Sequence, residues 1–205
     1  MLKITRKSIT YIIALMISSS LCADFKIVGG INLSNYIYSP ENENLTWNNK
    51  KGPVVGIGIE KSLFRPVILE LDIFSLSKGS KNSSSNSPDL QFNYNLNVAS
   101  LSGLIKTKVL HSTSPYFLGG IELSFLFSHK KIIKGEEEEE IDLSDKTKSF
   151  DYGLIFGGGF EIEIKERLYL FIEARYHLGQ RNILISETEE SMKTKAILIV
   201  VGAKS

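Results

Sequence analysis

From residue 25 onward the side chains change character every second position, and that rhythm restricts the chain to β-structure. An α-helix turns once in 3.6 residues and cannot hold such sets on separate sides. The clearest case is 167–178. Leu168, Leu170, Ile172, Ala174 and Tyr176 fall on one face, and Tyr169, Phe171, Glu173, Arg175 and His177 on the other. Leu69, Leu71 and Ile73 oppose Ile68, Glu70 and Asp72, while Tyr152, Leu154, Phe156, Phe160 and Ile162 oppose Asp151, Glu161 and Glu163. At 90–98, Leu90, Phe92, Tyr94, Leu96 and Val98 alternate with Gln91, Asn93, Asn95 and Asn97. About eight strands are expected, at 25–34, 53–61, 66–75, 90–105, 116–128, 150–164, 167–178 and 192–203. Beyond Asp24 no stretch of 18 consecutive apolar residues occurs, so no transmembrane helix is expected.

The connections alternate in length. Long polar ones fall at about 35–52, 76–89, 129–149 and 179–191, and short ones at 62–65, 107–115 and 165–166. In an up-and-down antiparallel order all the long connections lie at one end, the layout of a bacterial outer-membrane barrel. Glycines inside the strand patterns (Gly29-Gly30, Gly56, Gly58, Gly119-Gly120 and Gly157-Gly158-Gly159) suit the bends and close approaches of a small closed barrel. No G-x-G-x-x-G joins a strand to a helix, which excludes a dinucleotide-binding reading. Alternation alone does not say which face is inside: a soluble lipocalin-like barrel hides its apolar face, and a membrane barrel shows it to lipid. The long strands favour the membrane, as do Tyr and Phe near strand ends (Phe25, Phe74, Phe92, Tyr116, Phe127, Phe150, Tyr152 and Tyr176). Leu168, Leu170, Ile172, Leu154, Phe156, Leu69 and Leu71 are then expected to form an outward band about 25 Å tall.

The N-terminus reads as an address. Lys3, Arg6 and Lys7 precede the apolar run 9–17, which is too short to span a bilayer, and Ser18-Ser19-Ser20 lead to Cys22-Ala23. That order is a secretory signal peptide. Residues 1–23 are expected to be cleaved, with the cut after Cys22 or Ala23, leaving 24–205 as the outer-membrane barrel domain; a short anchor helix is the alternative. Cys22 is the sole cysteine, and Ser19-Ser20-Leu21 before it fits a lipoprotein acceptor poorly. Cleavage after Cys22 leaves no thiol for a disulfide, a metal or nucleophilic catalysis. Removing Lys3, Arg6 and Lys7 from the 24 basic residues leaves 21 against 23 acids. No strong basic field points to nucleic acid.

Several ordered pieces carry a family resemblance. They are 26–34 (KIVGGINLS), 52–60 (GPVVGIGIE), 115–120 (PYFLGG), 151–161 (DYGLIFGGGFE) and 170–179 (LFIEARYHLG). With them the chain resembles the PorT-like family of outer-membrane β-barrel proteins. The resemblance implies a single antiparallel up-and-down transmembrane barrel of about eight strands, OmpA/OmpX-like in size, in the bacterial outer membrane. The pattern departs from that family at 97–100 (NVAS), where a proline is usual, and at Ala203-Lys204-Ser205, where an aromatic residue is usual.

Candidate site residues follow from the polar parity. Glu60, Glu70, Asp72, Glu122, Glu161, Glu163, Glu173, Arg175, Lys26 and Lys195 are expected to point into the lumen. Glu70, Asp72, Glu122, Glu161, Glu173 and Arg175 form the expected structural charge network, with Arg175 as the main cation for an excess of acids. Eight strands leave room only for side chains, so a packed plug is favoured over an ion path. The run Glu136 to Glu140, with Asp142 and Asp145, reads as a solvated loop and lacks calcium-loop spacing. His111, His129 and His177 fall in a turn, a loop and a strand with no metal-ligand spacing. No catalytic, cofactor-binding or metal residues are expected. The leading expectation is a non-enzymatic, monomeric outer-membrane barrel whose loops bind, adhere or shield. Its expected partners are outer-membrane lipid and a surface ligand or a periplasmic partner protein. The alternatives are an accessory barrel serving a secretion or periplasmic partner, a soluble periplasmic barrel carrying an apolar ligand, and a hydrolase at the rim.

Overall fold

A computed structural model describes residues 23–39, 45–84, 87–109, 113–134, 138–185 and 191–205; of the segment 1–23 expected as a signal peptide, residues 1–22 lie outside the described residues, as does His111. Nine strands are present among the described residues: β1 (Asp24–Ser39), β2 (Leu45–Phe64), β3 (Val67–Ser84), β4 (Ser87–Lys108), β5 (Ser114–Lys134), β6 (Glu138–Asp142), β7 (Phe150–Lys165), β8 (Leu168–Gly179) and β9 (Ser191–Lys204). The described residues contain no α-helix, only the 3-10 turn Ser144–Lys146. Eight strands pair antiparallel with their neighbours. β1 joins β9, and β4 joins β5, so the sheet closes on itself. β6 stands outside the ring as a short extension paired with β5. Closure leaves the main ladder without an open edge, the condition for crossing lipid with strands.

The apolar parity faces outward. Leu168, Leu170, Ile172, Leu154 and Phe156 are exposed, and Leu69 and Leu71 lie partly exposed on the same side. Tyr152 to Ile162 marks the band on β7. Those ten steps, at about 3.3 Å each and a tilt of about 40°, reach about 25 Å along the barrel axis. The inverse arrangement needed by a ligand-carrying soluble barrel is absent from the described residues: charged side chains lie in the interior among buried apolar ones, and apolar side chains cover the wall.

The long-loop end differs from expectation in several places. Residues 35–52 and 76–89 were expected as connections, but β1 runs to Ser39, β2 begins at Leu45, β3 runs to Ser84 and β4 begins at Ser87. These extensions rise past the lipid band, where an outward side chain meets water and no apolar alternation is needed. Lys51, Asn95 and Asn97 face outward there. For the same reason Leu96 and Val98 point inward and are buried, with Asn97 exposed between them. Lys195 shares the outward parity of Ile197 and Ile199, so it is not in the lumen. Glu163 sits at the exposed short-turn rim, not in the interior. On β5 one extra residue at Phe127 breaks the register with β4, so Phe125 and Phe127 both face outward and His129 turns inward. His129 therefore stands in a strand, not in a loop.

Candidate functional site

The interior is packed with buried side chains, with a hollow at the short-turn end bordered by Glu60, Arg65 and Lys108. At its centre Arg175 of β8 is buried, with Nη2 2.7 Å from Glu70 Oε1, Nη1 2.6 Å from Asp72 Oδ2, and Nε donating to Glu173 Oε1. Lys26 of β1 completes the group, 2.5 Å from Glu70 and 3.1 Å from Asp72. The Tyr116 hydroxyl donates to Glu173 Oε2 at 2.9 Å, and the guanidinium of Arg175 lies 5.1 Å from the Phe74 ring centroid. The register makes this cluster possible: Lys26 and Asp72 both pair with Gly58. A Cβ at Gly58 would collide with Asp72 Oδ1 and stand 2.7 Å from Lys26 Cε. Glycine thus makes the space in which the ion pair forms.

A second group lies toward the short-turn end. Glu60 accepts from Lys106 at 2.8 Å and from Lys204 at 2.7 Å. Glu161 is 2.9 Å from Lys204 and 3.5 Å from Lys106, and it also accepts from Lys108. Lys106 lies 3.8 Å from the Tyr116 ring centroid. A third group holds Glu122 between Lys78, at 2.6 Å, and His177 Nδ1; the Ser124 hydroxyl donates to Glu122 at 2.5 Å.

Of the six network residues expected from sequence, Arg175 therefore touches Glu70, Asp72 and Glu173, while Glu122 and Glu161 have other partners. The expected excess of acid is also corrected. Among the described residues six buried carboxylates meet Lys26, Lys78, Lys106, Lys204 and Arg175, with the partly exposed Lys108 beside them. Lys78, Lys106 and Lys204 escaped notice because their sequence neighbours (Ser77 and Gly79, Ile105 and Thr107, Ala203 and Ser205) show no clean alternation. Their parity relative to Asp72, Leu104 and Leu198 was the available signal. Ions taken from water are tolerated only when matched and hydrogen-bonded in this way.

The long-loop end is closed by apolar contacts. Leu76, Leu96, Val98, Tyr36 and Met192 pack with the buried Ile183. Residues 143–149 and 180–185 are held across this end by Lys148 N–H donating to Ile183 O at 2.8 Å, Ile183 N–H to Met192 O at 2.9 Å and Ile185 N–H to Lys146 O at 3.0 Å. Tyr36 and Tyr94 meet edge to face, with ring centroids 6.1 Å apart. His129 lies beside both rings, and its Nδ1 is 2.6 Å from Thr147 Oγ1. It stands above the lipid band, and burial lowers its pKa from 6.5 to about 4, against the raising effect of Asp142.

The acidic run is not simply a loop. Glu136 and Glu137 lie outside the described residues, but Glu139, Glu140 and Asp142 are on β6. Lys130 of β5 reaches Glu140 at 2.7 Å, and the exposed Asp142 carboxylate is held below its usual range by hydrogen bonds from Ser144. Among the described residues no group of three His, Cys, Asp or Glu side chains could hold a metal ion.

A family model described as an outer membrane protein beta-barrel domain matches residues 20–184. Among solved structures, the outer membrane protein OprG of Pseudomonas aeruginosa has a TM-score of 0.56 at 13% identity, covering 89% of this chain and 96% of that one. That likeness shows the fold. Neisserial surface protein A has a TM-score of 0.48 at 12% identity over 88% of this chain and 95% of its own. Ail, the attachment invasion locus protein of Yersinia pestis, has a TM-score of 0.43 at 11% identity, covering 89% of this chain and 99% of that one. No curated protein sequence matches the chain.

Proposed function

Because the chain belongs to the outer membrane protein beta-barrel domain family, we propose that it is a non-conducting, non-enzymatic barrel of the bacterial outer membrane whose long-loop end binds, adheres or shields outside the cell. The observation that carries this reading is the filled interior beneath strand extensions that leave the lipid band. A lumen packed with matched ions and closed by Ile183 supports a plug, and β2 to β5 supply a platform beyond the membrane. Export through removal of residues 1–23 belongs to the same reading, as does a place near the PorT-like members, supported by the motifs at 151–161 and 170–179.

The test is electrical and topological. Refolded protein in a planar bilayer should give no large, stable open step. On intact cells, added protease should cut within the long-loop end and leave the short turns protected. A persistent large conductance would make the interior a path. Protection of the long-loop end would reverse the assigned orientation.

A further inference from the structure

The outer wall between β5 and β7 is indented. Ile121, Leu123, Phe150, Tyr152, Leu154 and Gln180 line a groove of about 400 Å³ whose lining is mainly apolar. Ile121, Tyr152 and Leu154 belong to the outward band, so the groove opens where hydrocarbon lies. Its upper rim is basic. Arg181 follows β8, donates from Nη1 to Phe150 O at 3.1 Å, and places its guanidinium 5.7 Å from the Phe150 ring centroid. That bond uses one of five donors, and a planar guanidinium matches a phosphate's paired oxygens. An aromatic shelf borders the rim, with Phe125 and Phe150 ring centroids 5.4 Å apart. Headgroups meet hydrocarbon at such a shelf.

We propose that this wall is a binding site for one phosphate-bearing lipid of the leaflet at the long-loop end, with an acyl chain in the groove and the phosphate on Arg181. The site rests on the membrane-embedded reading above. Apolar lining alone would accept any lipid. The fixed cation at the head of the groove makes it select, because it faces the one part of a lipid that carries negative charge. Phe150 holds the guanidinium at that depth, so less side-chain freedom is lost on binding than for a lysine on a free stem.

Fluorescence quenching separates the proposal from its premise. In a Trp47→Phe background, Tyr152→Trp puts the sole tryptophan at the groove, and Ile57→Trp puts it on the far wall. The full barrel is refolded into mixed phosphatidylcholine and phosphatidylglycerol vesicles in which one lipid or the other carries brominated chains. Brominated phosphatidylglycerol should be enriched about fivefold at position 152, the worth of one basic side chain facing anionic lipid, with no enrichment at position 57. Arg181→Gln should abolish the enrichment while quenching by phosphatidylcholine persists. Excess inorganic phosphate at constant ionic strength should leave it in place. Equal quenching by the two lipids at position 152 overturns the proposal. Loss of the preference to free phosphate leaves an anion site only and overturns the seating of the chain. Absence of quenching by either lipid at both positions instead overturns the membrane reading.

Discussion

At the scale of single residues the molecule depends on matched charge. Arg175 contacts three carboxylates at once, and a neutral side chain in its place leaves all three without that cation. Arg175→Met is expected to destabilise the barrel by about 3–5 kcal/mol, the scale for stranding buried partners. Adding Glu173→Gln should recover part of that loss, as read by urea unfolding in detergent or lipid. His129 sets a pH dependence of opposite origin. Its folded pKa is depressed to about 4, so its neutral form is the one the fold accommodates. Its stabilising contribution is full above pH 6.5, declines as the unfolded chain takes up a proton first, and is lost as pH falls through 4. The window is worth about 3 kcal/mol. His129→Gln should flatten the unfolding midpoint between those pH values. Half of this was legible beforehand. Glu173 and Arg175 announced themselves by strict alternation with Leu and Ile. Lys106 and Lys204 did not, because a lysine near a turn has the same sequence signature whether it is solvated or turned inward.

At the scale of elements, β2 to β5 are each two structures end to end. Below Phe127 the wall is apolar outside and charged within; above it Asn97 faces out and Leu96 faces in. Alternation therefore continues along β4 while its meaning reverses, and no local pattern records where the lipid ends. That is why the strands were foreseen and their upper limits were not. β6 was missed for a related reason: Glu139 and Glu140 have poor strand propensity, and their pairing comes from β5 across the hairpin. The β7–β8 turn carries a local cost. Arg167 has φ 63°, the left-handed region that a residue with a Cβ enters at about 1–2 kcal/mol. Arg167→Gly should raise stability by about 0.5–1 kcal/mol, the relief of that strain less the added freedom of the unfolded chain. An unchanged or lower unfolding midpoint would count against strain at this turn.

At the scale of the whole molecule, the closed sheet, the apolar exterior and the ion pairs of the interior describe a rod that lipid can surround. Targeting is checked by recovering the protein from cells. Its N-terminus should begin at Ala23 or Asp24, and it should fractionate with the outer membrane; a chain that begins at Met1 would overturn export by cleavage. The ring is sealed by β1 against β9, where Phe25 and Ser205 exchange backbone hydrogen bonds of 2.9 and 3.0 Å at the short-turn rim. The first barrel strand to be synthesised thus waits for the last. Throughout that interval β1 offers a bare row of amides and carbonyls, a template on which any passing chain could nucleate a fibre. The hazard belongs to the journey and not to the destination, because pairing of β1 with β9 removes that bare edge.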